Sequence, residues 1–170
     1  MRRVSNAARS YEVFFDEYYE HVRRALAVAF ADPVLAEDSA QDAFARAYVH
    51  WRSVSAMERP AGWVYVVALR GGRRQRSRRV ETVAPEPVPE PDPVPTLVER
   101  DELDELLRRL PERQRIAIVL RYLADLPIAD VAAAMGCAVG TVKSTLHAAL
   151  TRLRVELHDL DEESWSDARG

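Results

Sequence analysis

Residues 128–153, IADVAAAMGCAVGTVKSTLHAALTRL, decide the fold. Within this stretch the small residue Ala132 is followed after four positions by Gly136 and after six more by the apolar Val142. A helix-turn-helix needs this set, because its two helices touch at a small residue and its turn needs a glycine free to adopt a positive φ. Val142 then supplies an aliphatic contact from the second helix. The spacing therefore predicts a helix-turn-helix inside a helical module at residues 106–157.

The N-terminal half of the chain also has helical patterning. Apolar residues recur at steps of three and four over residues 11–29, which predicts one long amphipathic helix. Asp32 and Pro33 combine a capping residue with a first-turn proline, so a second helix is expected to begin there. Pro60, after Arg59, gives a weaker start signal for a third. No period-two segment indicates a strand, and the predicted fold class is all-α with two small helical domains.

Proline positions predict where the two halves are joined. Six of the ten prolines fall within residues 85–95. Because proline lacks a backbone donor and has a fixed φ, this stretch is expected to be an extended spacer covering about 3 Å per residue. We therefore expect a helical domain over residues 1–80, a proline-rich acidic linker at 81–101, a helix-turn-helix domain at 102–158 and an acidic tail at 159–170. Pro111 and Pro127 mark two further helix starts.

The net charge of −3 hides an uneven distribution along the chain. Residues 1–80 hold 14 arginines and nine acidic residues, whereas residues 81–105 hold one arginine and nine acidic residues. Residues 106–158 are basic again, with eight basic and four acidic residues. Two basic blocks separated by an acidic connector favour a two-part binder of a polyanion.

Composition argues against several other classes of protein. The lone Cys137 excludes an internal disulfide and a cysteine-based zinc site, and it is expected to be a buried small hydrophobe. The four histidines are scattered, and no apolar run approaches the roughly 20 residues that cross a bilayer. We expect a cytoplasmic protein that is not an enzyme, has no cofactor or metal and does not insert into a membrane.

The second helix of the predicted motif carries the candidate DNA contacts. In a helix-turn-helix this helix lies in the major groove, with its first turns facing base edges and later residues near phosphates. The candidates here are Thr141, Lys143, Ser144, His147 and Arg152. The alternative is that they are polar surface residues of an ordinary helical hairpin.

Both halves resemble the extracytoplasmic-function (ECF) sigma factors, the small alternative promoter-recognition subunits of bacterial RNA polymerase. LPERQRIAIVLRYLADLPIADVAAAMGCAVGTVKSTLHAALTRLR is similar to the fourth region of this family. FFDEYYEHVRRALAVAFADPVLAEDSAQDAFARAYVHW and RPAGWVYVVALRGGRRQRSRR are similar to its second region, and the resemblance covers roughly residues 11–157. It implies a protein that guides core polymerase to promoters, with the β′ clamp helices, the β flap and promoter DNA as partners. An anti-sigma partner is expected from the resemblance alone.

The resemblance also implies roles for particular residues. The segment from Ala36 to Phe44 matches the family helix that docks on core polymerase, which assigns polymerase binding to Asp38, Gln41, Asp42 and Phe44. A paired-carboxylate metal site is the rival interpretation, but a second acidic helix or a suitably spaced histidine is missing.

The segment that follows resembles the part of the family that captures unpaired bases of the −10 element. Trp51 and Trp63 are its aromatic candidates, since a ring stacked on a base gains about 1–3 kcal/mol; the alternative is that both are core residues. Phosphate contacts near this element are assigned to Arg70, Arg73, Arg74, Arg76, Arg78 and Arg79. A solvated basic face that touches no DNA is the alternative for this block.

The chain departs from the family pattern at several positions. Gly71 and Gly72 stand inside the third helix, where each glycine costs about 1 kcal/mol relative to alanine, so a kink or an early helix end is expected there. Ala138 replaces a frequent capping serine, and Thr145 and Ala148 replace frequent arginines, so affinity for the −35 element is expected to be modest.

Three other functions remain open from the sequence. A self-sufficient helix-turn-helix regulator would explain residues 106–157 but would leave the acidic helix face and the arginine block without a role. A nucleic-acid enzyme needs a catalytic constellation that the sequence does not offer. A sigma-like protein that acts only through protein contacts is compatible with the departures.

Overall fold

The computed structural model describes residues 6–82 and 102–167, with side chains described over residues 10–79 and 103–158. Helices and turns make up the described residues and no strand occurs among them, so the predicted all-α fold class is confirmed. Nearly all of the predicted linker at 81–101 lies outside the described residues. In chain order the helices are α1 (Asn6–Phe30), α2 (Pro33–Val49), α3 (Trp51–Val54), α4 (Pro60–Thr82), α5 (Glu102–Arg109), α6 (Glu112–Ile118), α7 (Ile128–Met135) and α8 (Val139–Asp167).

Helices α1, α2 and α4 pack around an aromatic core in the N-terminal half. The predicted helix starts are confirmed, because α2 begins at Pro33 and α4 at Pro60. Asp32 caps α2, and its Oδ1 accepts a hydrogen bond of 2.9 Å from the backbone N–H three residues on. Phe44 fills the space between α1 and α2, with its ring centroid 5.8 Å from that of Phe14. Short α3 had no signal in the sequence.

Gly72 lets α4 approach α1 and α2 closely. A Cβ at this position would overlap the Phe30 ring and would lie 2.6 Å from the Ser39 Oγ. At Gly71 the nearest atom to such a Cβ would be 3.9 Å away, so that glycine is not required by packing. Helix α4 continues through both glycines, and the predicted early end is wrong because tertiary contacts outweigh the weak helix propensity.

Helices α7 and α8 form the predicted helix-turn-helix. Helix α7 ends at Met135 and is followed by Gly136, whose φ of 65° and ψ of 40° are left-handed values that favour glycine. Ala132 and Val142 are both buried, as expected for the points where the two helices touch. Cys137 is half-buried and packs against the core. Between α6 and α7 the chain makes a π-helical turn over Val119–Leu123.

The two halves of the chain pack against each other and share one cluster of buried residues. Leu126, in the turn before α7, is 2% exposed and contacts the first turn of α4 at Gly62. Arg115 of α6 is 7% exposed, and its Nε donates a hydrogen bond of 3.0 Å to the carbonyl oxygen of Ala29 in α1. This contact places the DNA-binding candidates of α4 beside the C-terminal helices.

Candidate nucleic-acid interface

One face of α8 presents the residues that the sequence predicted to contact DNA. Its opposite face is buried in the core through Val142, Leu146 and Ala149, which fixes the rotation of the helix. The outward positions are all exposed: Thr141, Lys143, Ser144, His147 and Arg152. The structure therefore brings all five onto the accessible part of the second motif helix, within its first four turns.

Hydroxyl groups on α8 are partly engaged by the helix itself. The Ser144 Oγ donates to the Thr141 carbonyl oxygen at 3.0 Å, and the Thr145 Oγ1 donates to the same oxygen at 2.6 Å. A hydroxyl whose hydrogen is used in this way keeps its lone pairs for accepting a hydrogen bond. Ser144 is therefore suited to accept from a base amino group, whereas Lys143 can only donate.

The arginine block of α4 is divided by its contacts. Arg73 and Arg74 are exposed. Arg70 is exposed too, but its Nη2 donates to the Ala133 carbonyl oxygen of α7 at 2.8 Å. Arg79 lies 3.8 Å from an oxygen of Asp38 on α2. Part of the predicted DNA-contacting block is therefore engaged with protein groups that DNA would have to replace.

Arg76 is the most constrained arginine described in this block. Its Nη2 donates to the Phe30 carbonyl oxygen at 2.7 Å, and its guanidinium lies 5.4 Å from the centroid of the Phe30 ring. Its Nη1 also forms an ion pair with Glu112 of α6 at 3.1 Å. Arg78, at the exposed end of the block, completes the set with further contacts of its own.

The structure places Trp51 in the core rather than on an exposed surface. It is 8% exposed, and its ring centroid lies 4.9 Å from that of Phe14 and 5.3 Å from that of Tyr11. Stacking on an unpaired base requires an accessible ring face, so the assignment of Trp51 to base capture is corrected to core packing. Trp63 is half-buried and packs against the same core.

Tyr48 is an exposed aromatic residue that the sequence analysis missed. It is 57% exposed at the end of α2, and its ring centroid lies 5.0 Å from that of Tyr11. Tyr48 directly follows the buried Ala47 and so lies at the edge of the buried face of α2, a position that the structure reveals. It sits one turn before Trp51.

The acidic face of α2 is present, but without Phe44. Asp38, Gln41 and Asp42 are all exposed on this helix, as their spacing predicts. Phe44 is 1% exposed and belongs to the aromatic core, so its assignment to polymerase binding is corrected. The spacing of three and four placed the acids on one face, and Phe44 falls on the other.

Glu37 extends this acidic face and was not predicted. It accepts hydrogen bonds from the Tyr19 hydroxyl at 2.6 Å and from the Gln41 Nε2 at 2.8 Å. The hydrogen bond from Tyr19 is the main reason that the pKa of Glu37 is lowered, which keeps this carboxyl ionised. Burial and the bond to Glu37 raise the pKa of Tyr19 to about 12.

Acids of α2 and arginines of α4 face each other across a groove. Asp42 pairs with Arg46 at 2.9 Å, and Asp38 accepts a hydrogen bond of 3.4 Å from Gln75. Arg74 also lines the groove. The candidate polymerase-docking surface and the candidate −10 surface are therefore neighbours, joined by the ion pair between Asp38 and Arg79 and by the hydrogen bond from Gln75 to Asp38. None of the described helices combines the length and apolar character needed to cross a membrane.

An exposed helix-turn-helix beside the arginine-rich helix α4 is typical of a DNA-binding protein. Residues 100–153 match the family model for sigma-70, region 4. The chain is 38% identical over 136 residues to the RNA polymerase sigma-E factor of Streptomyces coelicolor, covering 76% of this chain and 77% of that protein. It is 31% identical over 174 residues to the ECF RNA polymerase sigma factor SigL of Mycobacterium tuberculosis, covering 94% and 98%. The chain belongs to the ECF sigma factors of RNA polymerase, the alternative sigma factors that direct promoter-specific transcription.

The fold agrees with this family. The structure superposes on the sigma factor RpoE of Bartonella quintana, solved in complex with the anti-sigma factor NepR, with a TM-score of 0.63. The two sequences are 24% identical, and the match covers 88% of this chain and 97% of that one. Family membership favours a function as a sigma factor over that of a self-sufficient helix-turn-helix regulator, which the sequence alone left open.

Proposed function

We propose that this sigma factor docks on core RNA polymerase through the acidic face of α2 and contacts promoter DNA through α8 and α4. The observation that carries the proposal is the exposed face of α8, whose polar residues point away from the buried contacts at Val142 and Leu146. A helix anchored in this way can enter the major groove without losing its packing. The chain then acts in the cytoplasm, together with polymerase, and nucleotide addition is left to the polymerase.

Lys143, Ser144 and His147 are proposed to contact bases of the −35 element. Lys143 and His147 are four residues apart and therefore neighbours on one face, with Ser144 beside them. Lysine donates to guanine acceptors in the major groove, whereas a serine hydroxyl can donate or accept and therefore does not specify a single base. Arg152, two turns further on, is suited to a phosphate, which carries no sequence information by itself. Thr141 is exposed in the first turn of α8, ahead of these residues.

Substitutions on α8 test this assignment. Lys143→Ala and His147→Ala are each expected to weaken promoter binding by the holoenzyme by about 1–3 kcal/mol and to relax preference at one or two base pairs. Arg152→Ala is the matched control, because loss of a phosphate contact weakens all sequences alike and flattens the salt dependence. Selection of preferred promoters from a randomised −35 library measures both effects. An unchanged preference in the Lys143 and His147 variants would show that other residues recognise the bases.

The exposed arginines of α4 are proposed to contact phosphates around the −10 element. Arg73 and Arg74 are the leading candidates, because both are exposed and their helix is anchored in the core through Val64, Ala68 and Leu69. Trp63, half-buried in the first turn of α4, stays the aromatic candidate for an unpaired base, and the exposed Tyr48 joins it. Replacing Arg73 and Arg74 by alanine is expected to weaken open-complex formation. The slope of its affinity against salt concentration should fall by the amount that about two phosphate contacts contribute.

Asp38 and Asp42 are proposed to bind cationic side chains of polymerase. Their present partners are exposed arginines, and an exposed ion pair contributes only about 0–1 kcal/mol. An arginine of polymerase that forms a bidentate, partly desolvated contact with one of these carboxylates can therefore displace its present arginine partner. Gln41 lies between the two acids and is free to turn its amide, since its bond to Glu37 is exposed.

A double charge reversal tests the docking face. Asp38→Arg with Asp42→Arg is expected to abolish co-purification with core polymerase, because repulsion is added to the loss of both contacts. Glu12→Arg with Asp16→Arg, on the exposed side of α1, is the control with the same spacing and the same change of charge. Circular dichroism should show wild-type helicity in both. A folded double variant of α2 that binds core polymerase with wild-type affinity would move the dock elsewhere.

Promoter binding is proposed to require core polymerase. Each basic block is small, and the linker between them is acidic, so the isolated chain has few simultaneous phosphate contacts. Mobility shifts with and without core polymerase test this requirement. Tight sequence-specific binding by the isolated chain, at a nanomolar level in physiological salt, would refute it. An anti-sigma partner stays an expectation from the family, and no described residue is assigned to it.

A further inference from the structure

Gly140 leaves an open position in the first turn of α8. No atom of the described residues lies within 4 Å of the place that a Cβ at this residue would occupy, and the residue lies inside the helix. Gly136, by contrast, has a positive φ, and Gly72 is required by the ring of Phe30. Glycine is a weak helix former, so neither packing nor helix stability accounts for Gly140. Glycine is also used where another molecule approaches the backbone closely.

Lys143 and Ser144 lie on either side of this open position. A helix turns by about 100° per residue, so Lys143 lies about 60° to one side of Gly140 and Ser144 about 40° to the other. Helical side chains lean toward the N-terminus, so both extend over the turn that contains Gly140. Both residues are exposed. Gly140, Lys143 and Ser144 together are called the α8 notch below.

The two sides of the α8 notch have opposite hydrogen-bonding character. The Lys143 ammonium has three donors and no acceptor. The Ser144 Oγ donates its hydrogen to the Thr141 carbonyl oxygen at 3.0 Å, so its lone pairs are left to accept. A base amino group can donate to this oxygen without disturbing that bond, whereas a base acceptor would require the hydroxyl to turn away from Thr141. The notch therefore has a donor on one side and an acceptor on the other.

We propose that the α8 notch reads one G·C base pair of the −35 element on both strands, with guanine beside Lys143 and cytosine beside Ser144. In the major groove this pair presents the N7 and O6 acceptors of guanine on one side and the N4 amino group of cytosine on the other. Because Lys143 and Ser144 flank the notch, they reach these outer groups rather than the middle of the pair. The inference rests on the proposed role of α8 at the −35 element, and it names the base pair that this role left open.

The other three base pairs fit the α8 notch less well. A C·G pair in the same direction places an amino group against the Lys143 ammonium and an acceptor against the Ser144 oxygen, so both contacts are lost. A·T and T·A pairs have acceptors on both outer sides, adenine N7 and thymine O4, so only the Lys143 contact is kept. The expected order of preference is therefore G·C first, A·T and T·A next, and C·G last.

Selection from a randomised −35 library by the holoenzyme tests this order. The wild-type protein is expected to prefer G·C at one position, and Lys143→Ala and Ser144→Ala should each relax that same preference by about three- to tenfold, the effect of one hydrogen bond. Thr151→Val is the matched control, because it removes a hydroxyl that donates to the His147 carbonyl oxygen further along α8. This control should leave the preference at that pair unchanged. Relaxation at two different base pairs, or a preferred pair other than G·C, would overturn the proposal.

Modified bases test the two hydrogen bonds separately. A cytosine with a methyl group on N4 still pairs with guanine but has no amino hydrogen free in the major groove. At the selected pair it should weaken binding by the wild-type holoenzyme about three- to tenfold and leave Ser144→Ala little affected. A guanine analogue with carbon in place of N7 should likewise weaken the wild type and spare Lys143→Ala. Equal losses in the wild type and in the matching variant would contradict the assigned contact.

A substitution of Gly140 tests the open space itself. Gly140→Leu fills the space between Lys143 and Ser144, so promoter affinity of the holoenzyme is expected to fall at least about tenfold through loss of both contacts. Thermal stability should equal or exceed that of the wild type, because leucine is the better helix former and no described atom crowds this position. A role confined to folding would change stability rather than binding. Wild-type affinity in Gly140→Leu would overturn the proposal.

The library selection also separates this inference from the proposed function. If the wild-type holoenzyme showed no base preference anywhere in the −35 library, the proposed role of α8 would fail and the α8 notch with it. If a preference were present but survived unchanged in Lys143→Ala and in Ser144→Ala, only the α8 notch would be refuted. Relaxation of one G·C pair by both substitutions, matched by the effects of the two modified bases, is the result that supports it.

Discussion

Replacement of Arg115 by methionine probes the most deeply buried cation described in the protein. Its guanidinium donates to three backbone carbonyl oxygens, one in α1 and two around the end of α5. Burial lowers the pKa of Arg115, which reflects the cost of taking its charge out of water. Methionine keeps much of the side-chain volume and removes the charge. The main unfavourable effect is then that the three carbonyl oxygens lose their hydrogen-bond donor.

The expected size of the effect follows from these opposing contributions. A buried acceptor that loses its partner costs about 1–3 kcal/mol, and three carbonyls lose theirs. Relief of the desolvation of a buried ion offsets several kcal/mol of this loss. We expect Arg115→Met to lower the free energy of unfolding by about 2–4 kcal/mol, a large share of the roughly 5–15 kcal/mol of a typical domain.

Urea unfolding followed by circular dichroism measures the change. Arg113→Met, two residues earlier on α6, is the matched control, because Arg113 is exposed and its loss should change stability by less than about 0.5 kcal/mol. Hydrogen exchange at the end of α1 should also accelerate in the Arg115 variant alone. If Arg115→Met cost less than about 1 kcal/mol, the three hydrogen bonds would not be stabilising the packed halves.

Three further changes test the packing of the N-terminal half by urea unfolding. Gly72→Ala is expected to destabilise by about 1–3 kcal/mol through overpacking, whereas Gly71→Ala should stabilise by about 0.5–1 kcal/mol; similar effects would contradict the assigned contacts. Asp32→Ala should cost about 1 kcal/mol by loss of the helix cap, and no loss would show that the cap is not needed. Burial raises the pKa of Tyr65 to about 12, so folding favours its neutral form, and the stability that this contributes is lost as pH rises from about 10 to 12. Tyr65→Phe should reduce this loss of stability at alkaline pH. An unchanged dependence of stability on pH would show that Tyr65 does not cause the loss.

The parts of the fold that the sequence predicted are those with local causes. A cap at Asp32, a proline at residue 60 and a left-handed glycine at residue 136 each act within one turn of the chain. The exposed face of α8 was predictable for the same reason. Apolar residues at steps of three and four mark the buried side of a helix, and the polar residues between them mark the exposed side. These signals need no knowledge of distant partners.

The errors concern residues whose surroundings come from distant segments. Trp51 and Phe44 were assigned to surfaces by resemblance, but aromatic rings from α1 cover both. Gly72 looked like a weakness of the helix until Phe30 was placed against it. The contact between Gly62 and Leu126 joins residues 64 positions apart across the linker, and no periodicity in either segment specifies it.

The contacts of Arg76 argue that the arginine block of α4 has two functions. A flexible, solvated arginine can contact a phosphate without giving up other contacts. Arg76, in contrast, already binds the carbonyl oxygen and the aromatic ring of Phe30 at the end of α1. Its remaining contact is an ion pair with Glu112 of α6, so each of these contacts engages Arg76 with a protein group. Arg73 and Arg74 have no comparable anchor among the contacts that the structure describes. We therefore propose that Arg76 fixes the position of α4 on the bundle and that its exposed neighbours, rather than Arg76, contact the phosphates.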